Sequence, residues 1–278
     1  MKKECSPIKN FINSHFVSRN MQIPVQFKNN KHQILNGIIH KPKKYDTAIV
    51  FLHGFPGSMF GTAQRLLTLF SKFNFLCFRF EFAGTNTSEG KFEEKLMSQE
   101  IKDTKYAIDF LQKNYPTKRI ILIGHSTGAT IASLYAHKDK RIGKLILLGA
   151  VSDLKHAVHY DFTDQQIHNF WKKCYITYNK PDSWVHHKRL KKSYYNEFFT
   201  LNIPKAIKKY HHPLLIIHGT EDHAIPLKEA KELHNIANKP KRLIFIKGAD
   251  HRFSRKYHQL KVVWHIYRFI KHSSSLLL

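Results

Sequence analysis

Short apolar runs alternate with helix-period segments along nearly all of this 278-residue chain, and that rhythm leaves few architectures open. Residues 48–52, 75–80, 119–123, 144–148, 214–217 and 243–246 are rich in β-branched, aromatic and leucine side chains. Most are apolar on consecutive positions, as parallel strands covered on both faces require. Between them, apolar residues recur at helical spacing: Ala63, Leu66, Leu67 and Phe70, then Ile101, Ala107, Ile108 and Leu111, then Ala129, Ala132, Leu134 and Ala136. Residues 227–237 and 262–270 supply two further helices. Strand and helix in alternation predict a doubly wound, mostly parallel α/β sheet. Residues 24–27 and 34–40 have no helix between them and predict an antiparallel edge hairpin.

One interval breaks the rhythm. From 153 to 212 no clear strand is legible, and the segment holds 12 of the chain's 36 Phe, Tyr and Trp residues. Sixty residues without secondary structure are implausible inside a compact fold, so a largely helical cap is expected there. The domain reading is a core at 25–152, an inserted cap at 153–212, and the second part of the core at 213–272. A chain of this length buries enough surface to need no staple. Cys5, Cys77 and Cys174 are sparse and lack metal-ligand spacing, which suits a reducing compartment and makes Cys77, inside an apolar run, a buried thiol. The first residues show no signal-peptide core, and no run has the ~18 apolar residues of a membrane span, so the expected location is cytoplasmic.

The sharpest motif is Gly124-His125-Ser126-Thr127-Gly128, between the predicted strand at 119–123 and the helix that follows. A G-x-S-x-G sequence carries meaning in that setting, where a tight strand-to-helix turn lifts the serine above the sheet. The helix N-terminus beneath it favours developing negative charge. A serine hydroxyl is a poor nucleophile until a base takes its proton and an acid orients that base. Behind such an elbow the chain order is serine, acid, histidine. Strand 214–217 runs into His218-Gly219-Thr220-Glu221-Asp222-His223, and strand 243–246 into Lys247-Gly248-Ala249-Asp250-His251. Asp222 and His251 thus follow successive strands at the sheet edge where such folds hold ligands. Glu221 and Asp153 remain open as alternative acids. His258, His265 and His272 fall in the final helix pattern, and His223 reads as a loop residue.

Acyl transfer also needs N–H donors aimed at the oxyanion. Strand 48–52 ends in His53-Gly54-Phe55-Pro56-Gly57, and the backbone N–H groups of Phe55 and Thr127 are the expected donors. His53 reads as a brace for that loop.

Taken together, Phe51-Leu52-His53-Gly54-Phe55, Phe78-Arg79-Phe80-Glu81-Phe82-Ala83-Gly84, Ser88-Glu89-Gly90-Lys91-Phe92-Glu93, Gly124-His125-Ser126 and Gly248-Ala249-Asp250-His251 resemble the α/β-hydrolase superfamily. Within it they are similar to the cinnamoyl/feruloyl esterase-like bacterial carboxylesterases. The resemblance covers about residues 25–272. It implies an α/β-hydrolase sheet with an inserted cap, a catalytic Ser126, Asp222 and His251, and oxyanion donors at Phe55 and Thr127. The sequence departs from the group at Glu81, where an aspartate is usual, at Thr85-Asn86-Thr87, where the loop is glycine-rich, and at Thr127, often glutamine. The loop at His53 also resembles that of proline iminopeptidases, without their central glycine.

The expected activity is hydrolysis of carboxylic esters through an acyl-enzyme, with no cofactor and no metal. A thioesterase, lipase or aminopeptidase would use the same residues, and a non-catalytic binder on the same scaffold is the rival from another class. The expected partner is a small-molecule ester; a homodimer is left open. Lys and Arg number 46 against 20 Asp and Glu, a net +26 that suggests nucleic acid. The cap, however, holds 11 Lys and Arg and 5 Asp and Glu, a share of the charge in proportion to its length. No dedicated nucleic-acid groove is therefore expected, although a positive field would draw anionic esters.

Overall fold

A computed structural model describes the chain from residue 21 to residue 271. Cys5, the basic N-terminus, His272 and the closing serines and leucines lie outside the described residues. The described residues hold strands β1 Met21–Lys28, β2 Ile34–Lys41, β3 Thr47–Leu52, β4 Leu76–Phe80, β5 Arg119–His125, β6 Ile142–Leu148, β7 Tyr175–Thr177, β8 Arg189–Lys191, β9 Leu214–Gly219 and β10 Lys241–Ile246. The helices are α1 Thr62–Phe70, α2 Met97–Asn114, α3 Thr127–Tyr135, α4 Leu154–Asp161, α5 Asp164–Lys173, α6 Lys192–Thr200, α7 Ile203–Ile207, α8 Leu227–Ile236 and α9 Lys256–Lys271.

Eight strands form one sheet in the order β1-β2-β4-β3-β5-β6-β9-β10. The hairpin β1–β2 and the pair β2–β4 are antiparallel, and every pair from β4 to β10 is parallel. The wholly apolar strands have a direct cause. Ala48, Val50 and Leu52 of β3 pack on one face of the sheet, with Ala129 and Ile131 of α3 and Ala230 and Leu233 of α8. Ile49 and Phe51 pack on the other, with Leu66 and Phe70 of α1 and Val262 and Ile266 of α9. Leu122 and Ile123 of β5 divide in the same way. The central strands therefore meet a helix layer on both sides, and the sheet is doubly wound as expected. Among the described residues, no helix is long and apolar enough to cross a membrane.

Between β6 and β9 the chain forms the inserted, largely helical cap, and here one expectation needs correction. The segment does contain strand: β7 and β8 pair antiparallel as a short ribbon, Tyr175 opposite Lys191 and Thr177 opposite Arg189. Each strand has three residues and one buried apolar side chain, Ile176 and Leu190 respectively. A single inward residue gives no alternation to read. The helices carry clearer signals. Thr163 and Gln166 form a reciprocal capping box at the start of α5, and Asp153 caps α4 by accepting from Lys155 N–H.

The cap is tied to the core by a buried carboxylate. Glu229 of α8 accepts from Ser152 N–H at 2.9 Å, Ser152 Oγ at 2.6 Å, Tyr160 Oη at 2.9 Å and His156 Nδ1 at 3.0 Å. Trp184 adds a second tie, donating Nε1–H to Pro56 O at 2.9 Å.

Candidate active site

β5 ends at His125 and α3 begins at Thr127, so Ser126 alone makes the turn. Its φ of 56° and ψ of −128° lie where a side chain is strained. The neighbouring glycines make this turn sterically feasible. A Cβ on Gly124 would collide with the Gly128 carbonyl oxygen, and one on Gly128 with the Leu52 carbonyl oxygen. The turn is pinned to β6 by Ser126 N–H donating to Leu148 O at 2.9 Å.

Two later strand ends bring the other candidates together. After β10, His251 donates Nδ1–H to Asp222 Oδ2, after β9, at 2.7 Å. The opposite oxygen, Oδ1, accepts from Ala224 N–H at 2.9 Å and Ile225 N–H at 2.8 Å. A second imidazole, His218 Nε2, stands 3.2 Å from Oδ2 and shares its proton with Ile225 O at 2.9 Å. Burial pushes the Asp222 carboxyl up, but hydrogen bonds from His218 and His251, and the His251 charge, hold it well below the usual carboxylate range. The alternatives are occupied elsewhere or apart: Asp153 caps α4, and Glu221 makes no bond to His251 among the described residues. His258 is buried on α9.

His125, just before the nucleophile in the elbow, donates Nε2–H to the His251 carbonyl at 2.8 Å, with the rings 5.0 Å apart. Burial, reinforced by the His251 charge, lowers its pKa to about 3, so it remains a neutral brace. His53 donates Nδ1–H to Gly54 O at 2.8 Å and packs against Phe82. Burial lowers its pKa to about 3 as well, consistent with bracing. Phe55 stacks on Phe92 and on Tyr194, with centroids 5.7 and 5.0 Å apart, which fixes the loop bearing its N–H. Among the described residues, neither Phe55 N–H nor Thr127 N–H donates to a backbone carbonyl.

Glu81 explains the departing loop. Its carboxylate accepts from Asn86 Nδ2 at 3.0 Å, Thr87 N–H at 2.8 Å and Thr87 Oγ1 at 2.6 Å. Side chains of Asn86 and Thr87 thus close this turn on Glu81.

A cavity of about 410 Å³ opens over the elbow, lined by Ser126, His251, Phe55, Arg65, Trp184 and Arg252 among others. Asp222 does not line it, its side chain being 1% exposed. A second space of only about 10 Å³ beside Ser126 is lined by Thr127, Gly149, Leu154, Ala157, Asp161 and Phe198. Desolvation raises the Asp161 carboxyl to about 6, with the His251 charge acting against it. His125, His218, Asp161, Arg65 and Arg252 were not legible as site residues in the sequence, since each is brought there by packing between distant segments. One His and two Glu oxygens, from His156, Glu229 and Glu232, lie close enough to hold a metal. The Glu229 oxygens already accept from Ser152, Tyr160 and His156, and the cluster shares no residue with the cavity.

A Ser hydroxyl and an imidazole on one cavity, with a carboxylate fixed on the imidazole's far nitrogen, can together activate the hydroxyl for attack on a carbonyl. A family model described as serine aminopeptidase, S33, matches residues 43–202. The uncharacterized protein YfhR of Escherichia coli K12 is 27% identical over 206 residues, 73% of this chain and 62% of that protein. The chain thus spans less than two thirds of that relative. A Mycoplasma genitalium protein named as an esterase/lipase is 32% identical over 132 residues, 47% of this chain and 48% of that one. Among solved structures, Est1E from Butyrivibrio proteoclasticus with ferulic acid bound is similar with a TM-score of 0.75 at 22% identity, covering 88% of this chain and 97% of that one. At that identity the likeness speaks for the fold.

Proposed function

The chain belongs to the α/β-hydrolase family described as serine aminopeptidase, S33, and from that membership we propose that it hydrolyses carboxylic esters through an acyl-enzyme on Ser126. The observation that carries this reading is the 2.7 Å bond from His251 to the buried Asp222, with His251 and Ser126 lining one cavity.

Ser126 Oγ attacks the ester carbonyl while His251 Nε2 takes its proton. Asp222 accepts from Nδ1–H, holding the imidazole in the tautomer whose Nε2 is free to act as base. The tetrahedral oxyanion accepts from the N–H groups of Phe55 and Thr127, above the N-terminus of α3. The intermediate collapses, and His251 gives its proton to the departing alcohol. Water, deprotonated by the same imidazole, then releases the acid and frees Ser126. None of these steps calls on a metal or cofactor.

The test compares hydrolysis of p-nitrophenyl butyrate by the wild type and Ser126→Ala. Loss of about 10³-fold or more in kcat is expected, with fluorophosphonate labelling in the wild type alone. Equal rates would eliminate the mechanism. A second reading, an aminopeptidase, is favoured by the family's description. Aminoacyl p-nitroanilides assayed beside the esters decide between them, since faster turnover of the anilides would replace the esterase.

A further inference from the structure

The cavity over Ser126 is not neutral. Arg65 of α1 and Arg252, the residue after His251, both line it, with Lys180 from the cap. Arg65 is held in place: its Nη2 donates to Arg252 O at 3.0 Å and to Thr62 Oγ1 at 3.1 Å. Its Nε–H is buried and has no hydrogen-bond partner. Arg252 is exposed to the cavity and forms no ion pair among the described residues. Carboxylates nearby only partly offset these charges. Asp182 lines the cavity, while Asp250, which faces Arg65, already accepts from Ser254 N–H at 2.7 Å and Ser254 Oγ at 2.6 Å. Burial and then the Arg252 charge lower the Arg65 pKa, with the Asp250 carboxylate acting against them.

Their place relative to the reacting atoms decides which part of the substrate they meet. His251 protonates the departing alcohol and lines one cavity with Arg65 and Arg252, so the alcohol leaves into space that these two guanidiniums flank. The geometry points to an ester whose alcohol portion carries a carboxylate or phosphate, held by Arg65 and Arg252. This inference rests on Ser126 and His251 acting as proposed above. Guanidinium bonds to such oxyanions are charge-assisted and can be bidentate.

Three esters with one acyl group test it: 4-butyryloxybenzoate, 4-(butyryloxy)phenyl phosphate and the neutral methyl 4-butyryloxybenzoate. At low ionic strength kcat/KM should favour one or both anions by about tenfold or more over the neutral ester. Which anion leads identifies the group. Arg252→Gln should collapse that ratio and Arg252→Lys should restore part of it. Because Arg65 also holds the loop of His251, Arg65→Gln is read by the same ratio rather than by rate. Absence of anion preference, or a preference unmoved in both glutamine variants, overturns the inference. Calorimetric binding of 4-hydroxybenzoate and 4-hydroxyphenyl phosphate, against methyl 4-hydroxybenzoate, makes the comparison without turnover. Failure of acyl transfer with retained anion binding would therefore strike the esterase reading alone. Equal binding of the three alcohols would strike the anion site.

Discussion

Asp222 is an acid over-supplied with donors: two backbone N–H groups on one oxygen, two imidazoles on the other. Its folded pKa lies below the unfolded value, so this carboxylate contributes stability that is present above the unfolded pKa of about 3.9 and lost as pH falls through the folded one. The consequence for activity is that Asp222 stays ionised through the acid range. The acid limb of kcat/KM should then report one proton, with a slope of one, and a slope of two would contradict the carboxylate's assignment. Asp222→Asn should lower kcat by about 10²–10⁴-fold, because the amide no longer selects the imidazole tautomer. The stability advantage of the wild type over this variant, followed by urea denaturation, should shrink below the ordinary carboxylate range. His218 supports the same oxygen, so His218→Ala should lower kcat more than it raises KM, as expected of a positioning residue read by steady-state kinetics.

Among elements, the loop between β4 and α2 depends most on charge. Lys95 and Glu100 pair at 2.7 Å with side chains 2% and 5% exposed, and Lys95 Nζ also donates to Thr85 Oγ1 at 2.7 Å. Burial raises the Glu100 pKa despite that partner. Replacing both residues with apolar ones of similar size removes two desolvated charges together, whereas removing one leaves the other stranded. Lys95→Met should therefore cost about 3–5 kcal/mol in urea denaturation, and Lys95→Met with Glu100→Leu should recover most of it. Equal losses in the two variants would mean that the loop depends on the ion pair itself. In the cap, helix was expected only because sixty residues without secondary structure are implausible in a compact fold, and the β7–β8 ribbon was not legible. Its strands are held by pairing across a distance in sequence and by Ile176 and Leu190 entering the aromatic cap core.

For the whole molecule, the excess of positive charge is spread, and it should bind nucleic acid only through weak phosphate contacts. Retention of DNA on a filter at about 50 mM salt should vanish by about 200 mM; persistence at the higher salt would reveal a basic groove. The doubly wound sheet was legible because burial on both faces forces apolar residues onto consecutive positions, a pattern written locally in β3, β5, β6 and β9. The candidate nucleophile was legible for a similar local reason, since Gly124 and Gly128 are dictated by the turn's own crowding. Asp222 and His251 could be ranked from strand ends, but their 2.7 Å contact depends on β9 and β10 lying side by side. His125, His218, Arg65, Arg252 and the cap ribbon had no local signature at all. Layers, elbow and the order of candidate groups can be read along the chain, because backbone periodicity and turn sterics act over a few residues. Which histidine meets which carboxylate, and which charges face the cavity, was decided only by the tertiary structure, because those contacts join segments that packing alone brings together.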